Sequence, residues 1–249
     1  LLASAGDFFR WLGAYVVSVL PWFVMAWLLT WVVLVLCFQQ AKARMRPRII
    51  NADDEVRAWA KTLRFRVASQ ASASDETREA ERHALTWFFR FWTNFASAPS
   101  LSIFSLAIPL WWFLRQDPAT FQKVHIWLLP GLCYAGSMYL SYTLKRVFRR
   151  VRPQRVEGAF GHKLKDGSFP SGHSLTSFCF WFMLTISLAL AGVAMPLVVL
   201  FGVLALAIVL LTGLSRIYLG VHFPSDVAGG YIIGLVWCAA CLTALYGRL

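Results

Sequence analysis

The sequence predicts an all-α polytopic membrane protein: a six-transmembrane-helix bundle with an amphipathic helical insertion between its first and second spans. Three observations predict it. The 249 residues are 58% hydrophobic and only 14% charged, a balance too apolar for a soluble domain of this length. The apolar residues form six runs of spanning length, at Trp11 to Phe38, Phe95 to Leu114, Val124 to Leu144, Ser174 to Ala194, Met195 to Leu214 and Val227 to Tyr246. Charged residues collect at the ends of these runs and in one stretch, residues 41–94, where the composition shifts sharply. The chain therefore reads as a single domain, 1–249, with 41–94 as an extramembrane helical insertion.

Composition also excludes. A net charge of +12 would suit nucleic acid, but the basic residues cluster at span ends, where lipid headgroups or an anionic substrate are the better partners. Cys37, Cys133, Cys179, Cys238 and Cys241 all lie inside apolar runs and read as small hydrophobes, so no disulfide framework follows. Cys238-Ala-Ala-Cys241 has the spacing of a redox or half-zinc pair, yet no second pair or histidine stands beside it. A structural role is expected there, and no metal or other cofactor is expected anywhere in the chain.

The first run has no cleavage pattern and is too long for a signal-peptide core, so it is expected to be retained, with Trp11 as an interfacial anchor. In the insertion, Val56, Trp59, Leu63 and Val67 recur at helical spacing behind the start signal Asn51/Asp53, with Arg57, Lys61 and Arg64 elsewhere around the helix. A small, polar turn follows at 69–74. Asp75, Glu76 and Glu79 then suit the first turns of a second helix, whose Ala84, Phe88, Phe91 and Phe95 run into the second span. The pair is either a hairpin lying on the membrane and shaping the entrance for a lipid, or a connector with an ordinary solvated face.

After the third run the chain turns basic, with Lys145, Arg146, Arg149, Arg150, Arg152, Arg155, Lys163 and Lys165 against only Glu157 and Asp166. If the helix continues here, Lys145 and Arg152 share one face, as does Arg149, until Pro153 ends it; two cations then converge on one anion. Phe169-Pro170-Ser171-Gly172-His173 opens the fourth span. With Pro170 in its first turn, the free N–H groups near Ser171, Gly172 and His173 can face an anion, although a plain helix start with a polar cap looks the same.

Between the fifth and sixth runs, Ser215-Arg216-Ile217-Tyr218-Leu219-Gly220-Val221-His222-Phe223-Pro224-Ser225-Asp226 places a cation, an imidazole and a carboxylate together. Pro224 suits the first turn of the next helix, which puts Asp226 within reach of His222. A carboxylate on one ring nitrogen fixes the tautomer and leaves the other nitrogen a lone pair; the same spacing also serves two interface residues capping a helix. An even number of spans separates any two of the three polar stretches, so they share one membrane side. Together they suit a phosphate monoester or pyrophosphate, its oxygens held by cations and N–H groups between two histidines.

Lys145-x6-Arg152-Pro153, Pro170-Ser171-Gly172-His173 and Ser215-Arg216-x5-His222-x3-Asp226 resemble the three signature motifs of the type 2 phosphatidic acid phosphatase superfamily. No motif position departs, and the resemblance covers roughly residues 95–249. It implies a metal-independent lipid phosphate phosphatase. In it, His222 attacks phosphorus to give a phosphohistidine, Asp226 orients His222, and His173 protonates the leaving oxygen and then activates water. Lys145, Arg152, Arg216, Ser171 and Gly172 would bind the phosphoryl oxygens. His83, His125 and His162 fall outside the motifs and are expected to be structural.

The resemblance implies a membrane lipid phosphate as substrate: phosphatidate, phosphatidylglycerophosphate, a polyprenyl pyrophosphate, a sphingoid phosphate or a lipid A phosphate. No nucleic-acid partner is expected, and the sequence does not specify an oligomeric state. The same phosphohistidine serves a lipid-to-lipid phosphotransferase equally well. Soluble vanadium haloperoxidases share the site, but six apolar spans argue against that branch. An anion transporter needs charges in mid-span, whereas these cations gather at one face. A bacterial inner-membrane enzyme is expected. The positive-inside rule places the two basic loops, Lys42 to Arg66 and Lys145 to Lys165, in the cytoplasm and the resemblance places them in the periplasm; the latter is adopted, because substrate-binding cations account for much of the second loop's charge.

Overall fold

The computed structural model describes residues 10, 13–14, 17–37, 39, 53–56, 58, 75–115, 124–153 and 166–245. Trp59 and Leu63, from the expected first arm of the insertion, lie outside them. The described residues are helical, with no strand among them: α1 (Val17–Cys37), α2 (Asp75–Asn94), α3 (Ala98–Arg115), α4 (Val124–Phe148), α5 (Gly172–Leu190), α6 (Met195–Tyr218) and α7 (Pro224–Leu245), together with a helical turn at 53–56.

Among the described residues four helices are long and apolar enough to cross a membrane, namely α1, α5, α6 and α7. A fifth arises if Ala84–Asn94 and Ala98–Trp112, bent by 40°, are taken as one span. Length and composition thus give four or five, not six. The difference is α4. Its 25 residues reach about 37 Å, but Ser137, Ser141, Thr143 and Lys145 lower its apolar character. It nonetheless buries Leu129, Cys133, Leu140 and Leu144.

The helix ends follow local chemistry and set the site's geometry. Helix α4 stops at Phe148, because Arg149 takes a left-handed conformation (φ 42°) that no α-helix continues. The helix therefore ends before Pro153, and Arg152 stands on extended chain rather than on the helical face expected for it. Helix α5 begins at Gly172 with Ser171 as its N-cap, so Pro170 precedes the helix instead of lying in its first turn. At α6 the chain leaves through Leu219 and Gly220 (φ 69°), and Pro224 opens α7 as expected.

Packing joins α4, α5 and α7 around a core of Cys133, Leu140, Leu175, Met183, Ile233 and Trp237. Helices α3, α4, α5 and α6 share a second core containing Leu101, Tyr134, Phe180, Trp181, Ala205 and Val209. Lipid-facing positions stay apolar, as at Leu197, Leu200, Val203 and Leu206 of α6, all exposed from the protein. In a bilayer that face needs no protein partner. Helix α2 does not simply run into the second span: the chain bends at residues 95–97, and α2 lies against α6, with Phe89 stacked on Tyr218 at 4.4 Å.

Candidate active site

The three polar stretches meet at one end of the bundle. Pro224 starts α7, which places Asp226 in its first turn with Oδ2 3.5 Å from His222 Nδ1. Both groups are buried, and Nδ1 has no closer hydrogen-bond acceptor among the described residues. The other ring nitrogen, Nε2, faces Arg152 Nη1 at 3.3 Å. Burial pushes the His222 imidazole down to about 4, the Arg152 guanidinium adds to the shift, and the Asp226 carboxylate opposes it. At neutral pH His222 is therefore uncharged, with Asp226 on one side and, on the other, an Nε2 lone pair that accepts from Arg152 and meets an electrophile only when that donor swings away.

Asp226 is itself held on every side. Its Oδ2 accepts the Phe223 N–H at 2.9 Å and the Ser168 hydroxyl, and its Oδ1 accepts Arg150 Nη1 at 2.8 Å. The Asp226 carbonyl accepts the Ser171 N–H at 3.0 Å, tying the start of α5 to the start of α7. Ser171 is fully buried, and its Oγ receives the Ser174 hydroxyl at 2.9 Å. It therefore stands behind the cleft, and its N–H is already committed. Gly172 and His173 line the cleft at the first turn of α5, where backbone N–H groups have no carbonyl within the helix.

Lys145 and Arg152 do converge on one anion, and in this structure it is the protein's own Asp166: Lys145 Nζ lies 2.5 Å from Oδ2 and Arg152 Nη2 lies 2.9 Å from Oδ1. Burial alone would raise the Asp166 carboxyl, but the two cations prevail and hold it below the ordinary carboxylate range. Arg152 also donates to the Val221 carbonyl at 3.0 Å, which aims it at the His222 loop. Arg149 and Arg146 line the same cleft, but the left-handed turn at Arg149 removes the helical register that would have aligned it with Lys145.

Arg216 comes from the last turn of α6 and is nearly buried, its Nη1 donating to Thr93 Oγ1 of α2 at 3.4 Å. His173 lies within electrostatic reach of Arg216, His222, Lys145 and Arg152. A cleft of about 1170 Å³ is lined by Lys145, Arg152 and His173 and runs along α4, past Ser141, Met138 and Tyr134, to Ala96 and Ala98 at the bend before α3; His222 lies behind Arg152, outside its lining. A Cβ at Gly172 would meet Ser141 Oγ at 3.2 Å and Lys145 Nζ at 3.8 Å, so a larger side chain here would press on the hydroxyl and narrow this part of the cleft. The arrangement can hold a tetrahedral anion among cations and N–H donors, with a neutral imidazole on one side and a second histidine nearby.

Sequence reasoning did not single out Arg150, Asp53, Ser168 or Ser225. Arg150 Nη2 lies 2.6 Å from Asp53 Oδ2, and Ser225 donates to both Asp53 oxygens, through N–H at 2.9 Å and through Oγ at 2.6 Å. Ser168 and Ser225 sit beside or within the motifs, while Asp53 had registered only as a helix start. Elsewhere, Cys133, Cys179 and Cys238 bring their sulfurs within 4.8 Å of one another in the bundle core. The sequence showed the Cys238/Cys241 spacing but not this convergence from three helices, which buries the thiols as small apolar groups. His83 and His125 have helical backbone, and His162 lies outside the described residues.

Comparison with known proteins gives the chain its family. The pattern of the PAP2 superfamily matches residues 126–248, which contain all the candidate site residues. YbjG of Escherichia coli (strain K12), a candidate undecaprenyl-diphosphatase, is 32% identical over 53% of this chain and 61% of its own. Phosphatidylglycerophosphatase B of Bacillus subtilis (strain 168) is 29% identical over 68% of this chain and 83% of its own. The chain thus spans less than two thirds of the first relative's length. A crystal structure of a transmembrane PAP2-type phosphatidylglycerolphosphate phosphatase from Bacillus subtilis superposes with a TM-score of 0.61 at 25% identity, covering 86% of this chain and 94% of that one. With fold, motifs and relatives in agreement, this chain belongs to the PAP2 superfamily.

Proposed function

We propose that this protein is an integral-membrane phosphatase that hydrolyses the phosphomonoester or diphosphate of a membrane lipid, of the phosphatidylglycerophosphate or polyprenyl diphosphate kind. The observation that carries the reading is His222, neutral and buried, with Asp226 on Nδ1 and Arg152 at Nε2, beside a cleft whose far end lies between apolar helices. A lipid can keep its chains in the bilayer while its phosphate reaches the imidazole. Counting α4 as the sixth span completes the frame. A single domain, 1–249, in a bacterial inner membrane with the cleft on the periplasmic side fits the resemblance.

In this mechanism the substrate's phosphoryl oxygens replace Asp166 on Lys145 and Arg152, with Arg216 and the N–H groups at the start of α5 on the remaining oxygens. His222 Nε2 attacks phosphorus, the bond to the lipid oxygen breaks, and His173 gives that oxygen its proton. Water then attacks the phosphohistidine and passes a proton to His173; the P–N bond breaks, and inorganic phosphate leaves. Asp226 keeps the Nδ1 proton of His222 in place throughout. No step calls for a metal.

The test is phosphate release by the purified protein from a panel of lipid phosphates, in chelator. Wild type should turn over at least one long-chain substrate and yield an acid-labile phosphoenzyme. His222→Ala should fall by at least about a thousandfold and trap none. Transfer of the phosphate to a lipid hydroxyl without release would instead identify a phosphotransferase, and wild-type turnover by His222→Ala would end the phosphohistidine mechanism.

A further inference from the structure

We infer that Arg150 and Asp53 form a positioning clamp on Asp226, so that the insertion between α1 and α2 contributes a residue to the catalytic machinery. The inference rests on the proposed role of the His222/Asp226 pair and extends it to two residues outside the motifs. Three facts carry it.

The first is how Arg150 is held. Nη1 donates to Ser225 Oγ at 2.6 Å and to Asp226 Oδ1 at 2.8 Å, Nη2 donates to Asp53 Oδ2 at 2.6 Å, and the guanidinium lies 4.3 Å over the Phe223 ring. Phe223 adjoins His222. A planar fork fixed at both nitrogens and on one face has a single orientation, which lysine cannot reproduce. Arg150 also lines the cleft, and Arg152, whose Nη1 meets His222 itself, is at least as fully engaged, so the split between kcat and KM is what tells a clamp from a phosphate ligand.

The second is Asp53. It is 3% exposed, although it comes from a segment otherwise expected outside the membrane. Its Oδ1 takes the Ser225 N–H, and its Oδ2 takes the Ser225 hydroxyl and Arg150. A buried carboxylate is costly unless paired and hydrogen-bonded, and here each oxygen is. Asp53 thus holds both the fork and the first turn of α7, one residue before Asp226.

The third is the division of labour on Asp226. Oδ1 belongs to Arg150, while Oδ2 faces Phe223 N–H, the Ser168 hydroxyl and His222 Nδ1. Without the fork, Oδ1 would lose its partner and the carboxylate, held at Oδ2 alone, could swing about that oxygen. The His222 tautomer would then no longer be fixed. Outer partners that orient a reacting group in this way are typically worth about 10- to 100-fold in activity.

The experiment uses the full-length protein with Arg150→Ala, Arg150→Lys, Asp53→Asn, Asp226→Asn and the double variant Arg150→Ala/Asp226→Asn. Turnover of a long-chain lipid phosphate is read beside the ¹⁵N-histidine spectrum, with His222 assigned by its loss in His222→Gln. The expected result is a kcat lower by about 10- to 100-fold in Arg150→Ala with KM within about twofold, partial recovery in Arg150→Lys, and a smaller loss in Asp53→Asn. The double variant should be no slower than Asp226→Asn alone, because the clamp acts only through that carboxylate. In the spectrum, wild type should hold His222 as the Nδ1–H tautomer and Arg150→Ala should show a mixture. Additive losses in the double variant, or a raised KM with kcat unchanged, would overturn the clamp and make Arg150 a substrate ligand or a purely structural residue. The spectrum separates this inference from the enzymatic reading: a tautomer shift in a protein that turns over no lipid phosphate sustains the clamp and removes the proposed function. An unchanged tautomer in a folded Arg150→Lys or Arg150→Ala variant removes the clamp.

Discussion

In the proposed mechanism Asp166 occupies the ground that the substrate phosphate takes. Its carboxylate bridges Lys145 and Arg152, two cations of the first motif, and nearly half of its side chain is open to solvent. A phosphate carries more charge than a carboxylate and can displace it, but every binding event must first break two ion pairs. Asp166→Asn weakens that competition, so the inhibition constant for vanadate or inorganic phosphate should fall several-fold while kcat changes little; an unchanged or weaker affinity would show that Asp166 supports the cations instead of competing for them. His222 gives a second expectation. Because burial lowers it to about 4 from an unfolded value of about 6.5, the neutral nucleophile persists through mildly acid solution. On its acid limb phosphoenzyme formation should be lost only near pH 4, while the alkaline limb reports the proton that His173 gives up; an acid-limb midpoint near 6.5 would mean a solvated imidazole. The linked stability has a definite sign: the unfolded chain takes up this proton first, so the contribution is present above about pH 6.5 and is lost as the pH falls toward 4.

Helices α5 and α7 carry the chemistry together because they approach closely. A Cβ on Gly230 would lie 3.0 Å from both the Ser171 carbonyl and the Ser174 Cβ, and a backbone atom cannot move aside alone. Gly230 is one turn beyond Asp226, and the Ser171 N–H to Asp226 carbonyl bond spans the same seam. Gly230→Ala should cost about 1–3 kcal/mol of stability, lowering the melting temperature in detergent, and should reduce kcat by displacing Asp226 from His222. Gly13→Ala, with nothing within 4 Å, should do neither and serves as the control. Equal behaviour of the two would mean that this seam does not position the site. The seam also marks the limit of what the sequence discloses. Pro224 and the spacing of His222 and Asp226 announced their pairing, since a helix start is local chemistry. The path of residues 149–153 was not legible in the same way, because Arg149's left-handed turn overrides the helical register that spacing alone suggested. Asp53 was less legible still, for only the closed fold brings it to Ser225 and Arg150.

At the scale of the whole molecule, hydropathy disclosed the bundle, but four or five of its described helices pass as spans on length and composition, since α4 combines a central position with Ser137, Ser141, Thr143 and Lys145. The same burial bears on orientation. The positive-inside rule counts cations in loops as free charges held back from translocation. Here Lys145 and Arg152 are paired with Asp166, and Arg150 is paired with Asp53 and Asp226, so three cations of the second basic stretch are folded into ion pairs. Their number is set by the site they build rather than by topology, and on the proposed function the bundle end bearing the 219–223 loop and residues 149–153 lies on the periplasmic side, against the rule. Val151, 82% exposed beside Arg150 and Arg152, reports on that end directly. In a Cys37→Ser background, Val151→Cys should react in intact cells with a maleimide that cannot cross the inner membrane, and alkaline phosphatase fused after Leu249 should remain inactive. A fusion active in the periplasm, together with a thiol in the Val151→Cys variant that stays protected until the cells are lysed, would turn the protein over and place its lipid phosphate in the cytoplasmic leaflet.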